Sequence, residues 1–361
     1  MQHRRLIILG SLVAALVIAF FLRSSVDPAK PRTPKIAEPV ASATTTRGAP
    51  SGTAPGALVP SVAPARTSTK PASSTLVFEG KWGGSAGQLG HRVANESNPE
   101  APAALAVEGD DVVVLDQVNG RVQRFRRGVP ISTFATTETV QDVALAPNGK
   151  TVLLDRLTDK NVTIVGADGK VISEIPLEGK GIPEAADTTG VFADPEGVYV
   201  EREHGSVVKV ADAEGQPDPK RPELPGRPTR DGKRVITAAI ADAALGRCVL
   251  TAFDRATLEV AFAVSFDFSR PLLQILLLDS DTNGNVYVGA EGAREREDHT
   301  AFDAALMVMR FGPDGSITGR IELPAGNLGD ETVRPLTIGD DGALYVMIAT
   351  ESGMAVSRHT F

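Results

Sequence analysis

A short apolar strand recurs, imperfectly, through most of this chain. Val113-Val114-Leu115-Asp116 aligns with Val152-Leu153-Leu154-Asp155, Val198-Tyr199-Val200-Glu201, Val286-Tyr287-Val288-Gly289 and Leu344-Tyr345-Val346-Met347. Each run follows a turn and precedes another strand. A unit of this kind cannot bury both faces alone, so tandem copies at roughly 40–50 residues imply a propeller or a solenoid.

Turn chemistry selects between the two. Asn148-Gly149, Asp168-Gly169, Asn283-Gly284, Asp314-Gly315 and Asp341-Gly342 are residue pairs that accept the positive φ angles of tight hairpins. Glu196-Gly197, Glu214-Gly215 and Asp231-Gly232 punctuate the chain in the same way. The short spacing leaves no room for crossover helices. The second unit reads most fully: Val143–Ala146, Thr151–Asp155, Asn161–Val165 and Val171–Leu177 are four antiparallel strands, which make one blade.

The same grammar fits Ala104–Phe134, Gly190–Leu224, Arg234–Phe266, Leu273–Leu323 and Leu336–Phe361. The fold class expected is all-β, a six-bladed propeller of four-stranded antiparallel blades, preceded by a transmembrane helix and a disordered linker. The fourth unit has a poor inner strand near Pro225–Arg230, and the fifth carries a charged insertion at Ala293–His299. The sixth unit has three strands before the chain stops. Leu76-Val77-Phe78, just after the linker, is the expected fourth strand and would close the ring.

Residues 1–23 read as a membrane signal. Leu6–Leu22 is a run of 17 residues without a charge, preceded by Arg4 and Arg5. That length is at the short end of what spans a bilayer, and the arginines favour a cytoplasmic N-terminus with the remainder translocated. Cleavage as a secretory signal is the alternative, but Phe20-Phe21-Leu22-Arg23 is a poor small-residue cleavage site. The expected state is a single-pass protein whose propeller is extracytoplasmic.

Residues 24–75 contain nine prolines and no aromatic residue, a composition that cannot offset the entropy of ordering. This linker is expected to be a spacer reaching roughly 100 Å or more when extended. Charge divides at the same boundary, +7 before residue 76 and −15 from there on. An acidic domain argues against nucleic acid and against anionic lipid as partners. The lone cysteine, Cys248, lies between apolar neighbours and reads as a small buried residue.

The first unit, Val112-Val113-Val114-Leu115-Asp116-Gln117-Val118-Asn119-Gly120-Arg121-Val122-Gln123-Arg124-Phe125, resembles an NHL repeat: apolar strand, Asp, then Asn-x-Arg-Val and a second strand. The pattern fades in the second unit, which keeps Asp155 but has Asp159-Lys160-Asn161-Val162, and in the third, which keeps Glu201 and Val207-Val208. The resemblance implies six blades and no particular activity.

Two sets of residues have the chemistry of a cation site. Asp116, Asp155 and Glu201 end the second strand of three successive units, and three carboxylates in a ring would suit Ca²⁺. The simpler reading, preferred here, is that each ties down its own blade's loop. Asp279-Ser280-Asp281-Thr282-Asn283-Gly284 matches the first half of a calcium loop, but Ala290 stands where the bidentate Glu belongs. No nucleophile elbow, zinc-protease motif or phosphate loop is present, and His91, His204, His299 and His359 show no base–nucleophile spacing.

Two functions follow, in different classes. The first is a tethered binding or scaffold module, expected to be monomeric, for a protein or cell-envelope glycan. The alternative is a calcium-dependent hydrolase, lactonase or lyase of the six-bladed type. No cofactor other than calcium is suggested.

Overall fold

The computed structural model describes residues 73–93, 97–296, 302–325 and 332–361. The expected membrane segment, and the expected linker up to residue 72, lie outside these residues. Among the described residues no helix is long and apolar enough to cross a membrane.

Six four-stranded antiparallel sheets follow one another along the chain. The first blade is Ala104–Glu108, Asp111–Asp116, Arg121–Arg126 and Val129–Ala135 (β2–β5). The second is Asp142–Ala146, Lys150–Asp155, Asn161–Val165 and Val171–Pro176 (β6–β9). The third is Thr188–Asp194, Gly197–Arg202, Val207–Asp212 and Glu223–Leu224 (β10–β13). The fourth is Arg227–Pro228, Arg234–Asp242, Arg247–Asp254 and Val260–Asp267 (β14–β17). The fifth is Leu272–Ser280, Val286–Glu295, Phe302–Phe311 and Ile317–Pro324 (β18–β21). The sixth takes Leu336–Ile338, Leu344–Ala349 and Gly353–Thr360 (β22–β24) from the C-terminal end and Ser73–Lys81 (β1) from the other. This is a six-bladed β-propeller.

Strand β1 pairs antiparallel with β24 over its whole length, with a bulge between Leu76 and Phe78. It begins at Ser73, three residues inside the segment expected to be linker. Ser73, Ser74 and Thr75 pair with Thr360, His359 and Arg358. Backbone pairing along a strand edge needs no apolar side chain, so composition did not mark these residues as strand. Phe78 anchors the strand, stacking on Phe125 of the first blade with ring centroids 4.2 Å apart.

The core lies between blades. Apolar clusters join the first blade to the second, the second to the third, the fourth to the fifth, the fifth to the sixth and the sixth to the first. Alternation along each strand sends side chains to both neighbours, which is why β3 and β7 are buried almost throughout. Among the described residues the junction of the third and fourth blades is built on charge instead. Arg255 donates to Asp194 at 2.6 Å and to Glu196 at 2.8 Å, and also to the Tyr199 hydroxyl. The poor inner strand expected near Pro225–Arg230 is β14, two residues long. Proline at its second position removes a donor, so the ladder to β15 covers only Arg227 and Pro228.

Candidate functional site

The six inner strands β2, β6, β10, β14, β18 and β22 surround a cavity of about 500 Å³ in the centre of the ring. Three arginines reach into it, and each bonds to at least two other blades. Arg334, just before β22, donates from Nη2 to Asp142 of the second blade at 2.5 Å and to the Val191 carbonyl of the third at 2.9 Å. Its backbone bonds to the first blade through Ala103 and Leu105.

Arg227, in the fourth blade, makes a bidentate pair with Glu201 of the third, Nε to Oε1 at 2.6 Å and Nη2 to Oε2 at 3.0 Å. Its Nη1 donates to the Leu278 carbonyl of the fifth blade at 2.7 Å. Both Arg227 and Arg334 lie over the Phe192 ring, with guanidinium carbons 4.3 and 4.8 Å from its centroid. Aromatic faces attract cations, so Phe192 holds the two guanidiniums without competing for their hydrogen bonds.

Arg230 occupies the end of the cavity where inner strands turn into their second strands. It donates to Asp279 of the fifth blade at 3.0 and 3.3 Å and to Asp340 of the sixth at 3.4 Å. Asp340 also accepts the Gly109 N–H of the first blade at 3.1 Å. The polar bonds of the channel therefore touch all six blades.

Glu201 shows how strongly these groups are coupled. Burial works to raise its pKa, but the Arg227 guanidinium, with further bonds from His204 and Thr189, outweighs burial and brings it to about 2. Thr189 Oγ1 donates to Glu201 Oε2 at 2.8 Å, and His204 Nδ1 stands 3.6 Å from the same oxygen. Glu108 behaves oppositely. Burial raises its pKa, Arg124 opposes that, and Asp340 and Asp111 add to the rise.

The carboxylates singled out in the sequence occupy separate neighbourhoods. Asp116 is fully buried and accepts from Gly90 N–H, Asn119 Nδ2, Arg121 Nε and Gln123 Nε2, at 2.7, 2.9, 2.7 and 3.1 Å. The same motif holds residues 83–90 across the first blade. Arg121 donates to the carbonyls of Gly84, Ser85 and Gln88, and Asn119 to that of Gly83. Asp155 accepts from Thr139 Oγ1 and from the backbone N–H groups of Leu157 and Thr158. Glu201 alone of the three bonds to an arginine of the central cavity.

In the calcium-loop motif, Asp279 faces Arg230 and accepts the Ile338 N–H, whereas Asp281 accepts from Asn283 N–H, Asn285 N–H and Nδ2, and Tyr287 Oη. Asp281 and Asn283 thus shape a turn. Among the described residues no group of three or more His, Cys, Asp or Glu is placed to hold a metal ion together. Cys248 is buried, and burial pushes its thiol up to about 11.

Sequence reading missed Arg227, Arg230, Arg334, Asp142 and Phe192. One signal was present: Arg-Pro pairs at 227–228, 270–271 and 334–335 stand at or before the inner strands of the last three blades. A residue before proline is held extended, which aims its side chain in a defined direction. Arg270 follows the same pattern but pairs with Asp303 and Glu322, away from the channel residues.

No protein-family model matches the chain, and no curated protein matches it in sequence. Solved structures similar to it include a member of the DUF4221 family from Bacteroides vulgatus, 9% identical, covering 81% of this chain and 96% of that one with a TM-score of 0.44. A luciferin-regenerating enzyme is 13% identical, covering 75% and 94%, with a TM-score of 0.44. The Dos1 propeller is 9% identical, covering 80% and 94%, with a TM-score of 0.40. Identities this low say nothing about ligand or chemistry.

Proposed function

We propose that this protein is an extracytoplasmic binding module that takes its ligand in the central cavity of the propeller. The segment at Leu6–Leu22 would hold it to the membrane, and the proline-rich linker would set its distance. One observation carries this reading. The charges of the channel are paired with one another across blades, through Arg334–Asp142, Arg227–Glu201 and Arg230–Asp279. Their pairing leaves a preformed cavity of about 500 Å³, within the size range of small-ligand sites. A ligand small enough to enter could be free or could be a group carried by an envelope protein or glycan.

The first blade also fastens the neighbouring end of the ring. Its motif residues Asp116, Asn119 and Arg121 hold the segment that follows the closing strand.

A thermal-shift screen of the full-length protein against amines, sugars, carboxylates and lactones, with and without calcium, tests the reading. The expected result is stabilisation by one ligand class, independent of calcium and without turnover. Stabilisation by several degrees with micromolar calcium, accompanied by lactone hydrolysis, would overturn it in favour of a metal-dependent hydrolase.

A further inference from the structure

The three channel arginines differ in the donors they have left to give. Arg227 engages Nε and Nη2 on Glu201 and Nη1 on the Leu278 carbonyl. Arg230 likewise places every nitrogen of its guanidinium on Asp279 or Asp340. Arg334 engages only Nη2, which donates to both Asp142 and the Val191 carbonyl. The N–H groups on its Nε and Nη1 have no acceptor among the described residues. There, the sealed side-chain atoms without a partner are Arg156 Nε and His359 Nδ1. Arg334 Nε and Nη1 are therefore open, and the space beside them is the cavity that Arg334 lines. A second group opens on the same space. Thr337, on β22, is 5% exposed and lines the cavity, and its hydroxyl is neither sealed nor bonded among the described residues. Its neighbours Leu336 and Ile338 join the apolar cluster shared with the fifth blade, so Thr337 projects from the other face of the strand.

Arg334 is fixed before any ligand arrives. Its Nη2 and the Val191 N–H share Asp142 Oδ2, and the Val191 carbonyl accepts from Nη2 as well, which closes the set. The guanidinium carbon lies 4.8 Å from the Phe192 centroid, and the side chain is 19% exposed. A donor held in this way loses little freedom on binding, which favours affinity. Asp142 does not exhaust its charge, because that carboxylate also accepts from the Val143 and Val191 N–H groups. The surplus carboxylates of the cavity, Glu108 and Asp340, stand at the other ends of β2 and β22 and face Arg230. Ile338, between Arg334 and Asp340, is already roughly 13 Å along an extended strand from Arg334. At its own end Arg334 thus offers open donors and meets no unpaired carboxylate. That combination favours an acceptor with a single negative charge.

We propose that the cavity binds a small organic carboxylate, whose oxygens accept from Arg334 while the Thr337 hydroxyl bonds a second oxygen of the same ligand. This rests on the reading of the cavity as the ligand site. The body of the ligand lies against apolar wall residues such as Val107, Ile275 and Leu276. Thr337 is roughly 10 Å along the strand from Arg334, so a chain of several atoms separates the two polar groups. A dianion would bring more negative charge beside Asp142 than one guanidinium offsets, which favours a carboxylate over a phosphate. A free acid and an acidic side chain of a partner protein share this chemistry.

Calorimetry on the full-length protein tests this with two acids, 6-hydroxyhexanoate and an N-acetylated, C-amidated Gly-Glu-Gly peptide. Each is compared with its neutral amide, 6-hydroxyhexanamide and the Gly-Gln-Gly peptide. The expected result is an acid that binds roughly tenfold or more tightly than its amide, because a guanidinium holds a carboxylate more strongly than a neutral acceptor. In Arg334→Lys that preference should disappear, a change that loss of packing alone would not produce. Thr337→Val removes an unbonded hydroxyl and keeps the side-chain shape, so the melting temperature should be no lower while 6-hydroxyhexanoate binds roughly threefold or more weakly. Binding of 6-hydroxyhexanoate alone assigns a free acid, and binding of the peptide alone assigns an acidic side chain. Equal affinities for acid and amide in wild type would overturn the proposal whether or not Arg334→Lys folds. An unchanged preference in Arg334→Lys would overturn it too, and an unchanged affinity in Thr337→Val would overturn its second contact. Failure of both acids to bind wild type also overturns it. If other compounds of the screen still stabilise the protein, only the carboxylate assignment falls; if none does, the cavity reading falls with it.

Discussion

Arg227 and Glu201 face each other across the junction of the fourth and third blades, joined by two bonds of 2.6 and 3.0 Å. The pair stands where the other junctions have apolar clusters. Glu201 is 2% exposed at its side chain and Arg227 19%, so neither charge has much water to fall back on.

Removing one partner therefore leaves an uncompensated buried charge. Arg227→Met is expected to destabilise the propeller by about 3–5 kcal/mol. The double variant Arg227→Met with Glu201→Gln should recover most of that loss. Equilibrium urea unfolding of the three proteins measures it; a double variant no more stable than the single one would show that the pair is not the cause.

Phe78 should be the most sensitive side chain of the closing strand. It is 6% exposed and stacks on Phe125. Phe78→Ala is expected to cost about 3–5 kcal/mol, whereas truncating the exposed Leu76, on the same strand, should cost under about 1 kcal/mol. Thermal unfolding distinguishes the two.

Asp116→Asn replaces an acceptor of four hydrogen bonds by a group that must donate at one oxygen's place. A loss of about 2–3 kcal/mol is expected, with faster amide exchange at Gly87 and Gly90. Those amides are chosen because Gly90 bonds Asp116 directly and Gly87 bonds Gln123 of the same network. Exchange at Leu157 and Thr158, held by Asp155 in the next blade, should not change.

His359 makes the closing sheet sensitive to acid. It is buried on β24, Ser357 Oγ meets its Nε2 at 2.8 Å, and Nδ1 has no hydrogen-bond partner among the described residues. Burial lowers its pKa from the ordinary value near 6.5. The unfolded chain then takes up the proton more readily than the folded one. Stability is complete above about pH 6.5 and declines as pH falls from there through the folded-state pKa. His359→Leu should flatten that decline between about pH 6.5 and 5 in urea midpoints. An identical pH slope in the variant would assign the acid sensitivity elsewhere.

Much of the ring was legible in the order of residues. Val152–Asp155 and its neighbours are short apolar runs bounded by glycine turns, which are local properties of strand and hairpin. The short β14 was visible as a weak strand because Pro225 and Pro228 interrupt it. The site was far less legible. Asp116 and Asp155 stand at the same place in their repeats as Glu201, yet their bonds are with their own loops. Glu201 differs through Arg227, 26 positions away. His204 looked like an ordinary loop residue, since nothing local to Glu203-His204-Gly205 reveals a cavity beside it.

By itself, the sequence determined the strand grammar, the number of blades and the acidity of the domain, because periodicity, turn chemistry and charge are short-range or additive. Tertiary structure decided how Arg227, Arg230 and Arg334 share their carboxylates. Ring closure carries residues such as Arg334 and Asp142, 192 positions apart, to 2.5 Å. Such a pairing depends on the geometry of all six blades at once, and no window of the chain contains it.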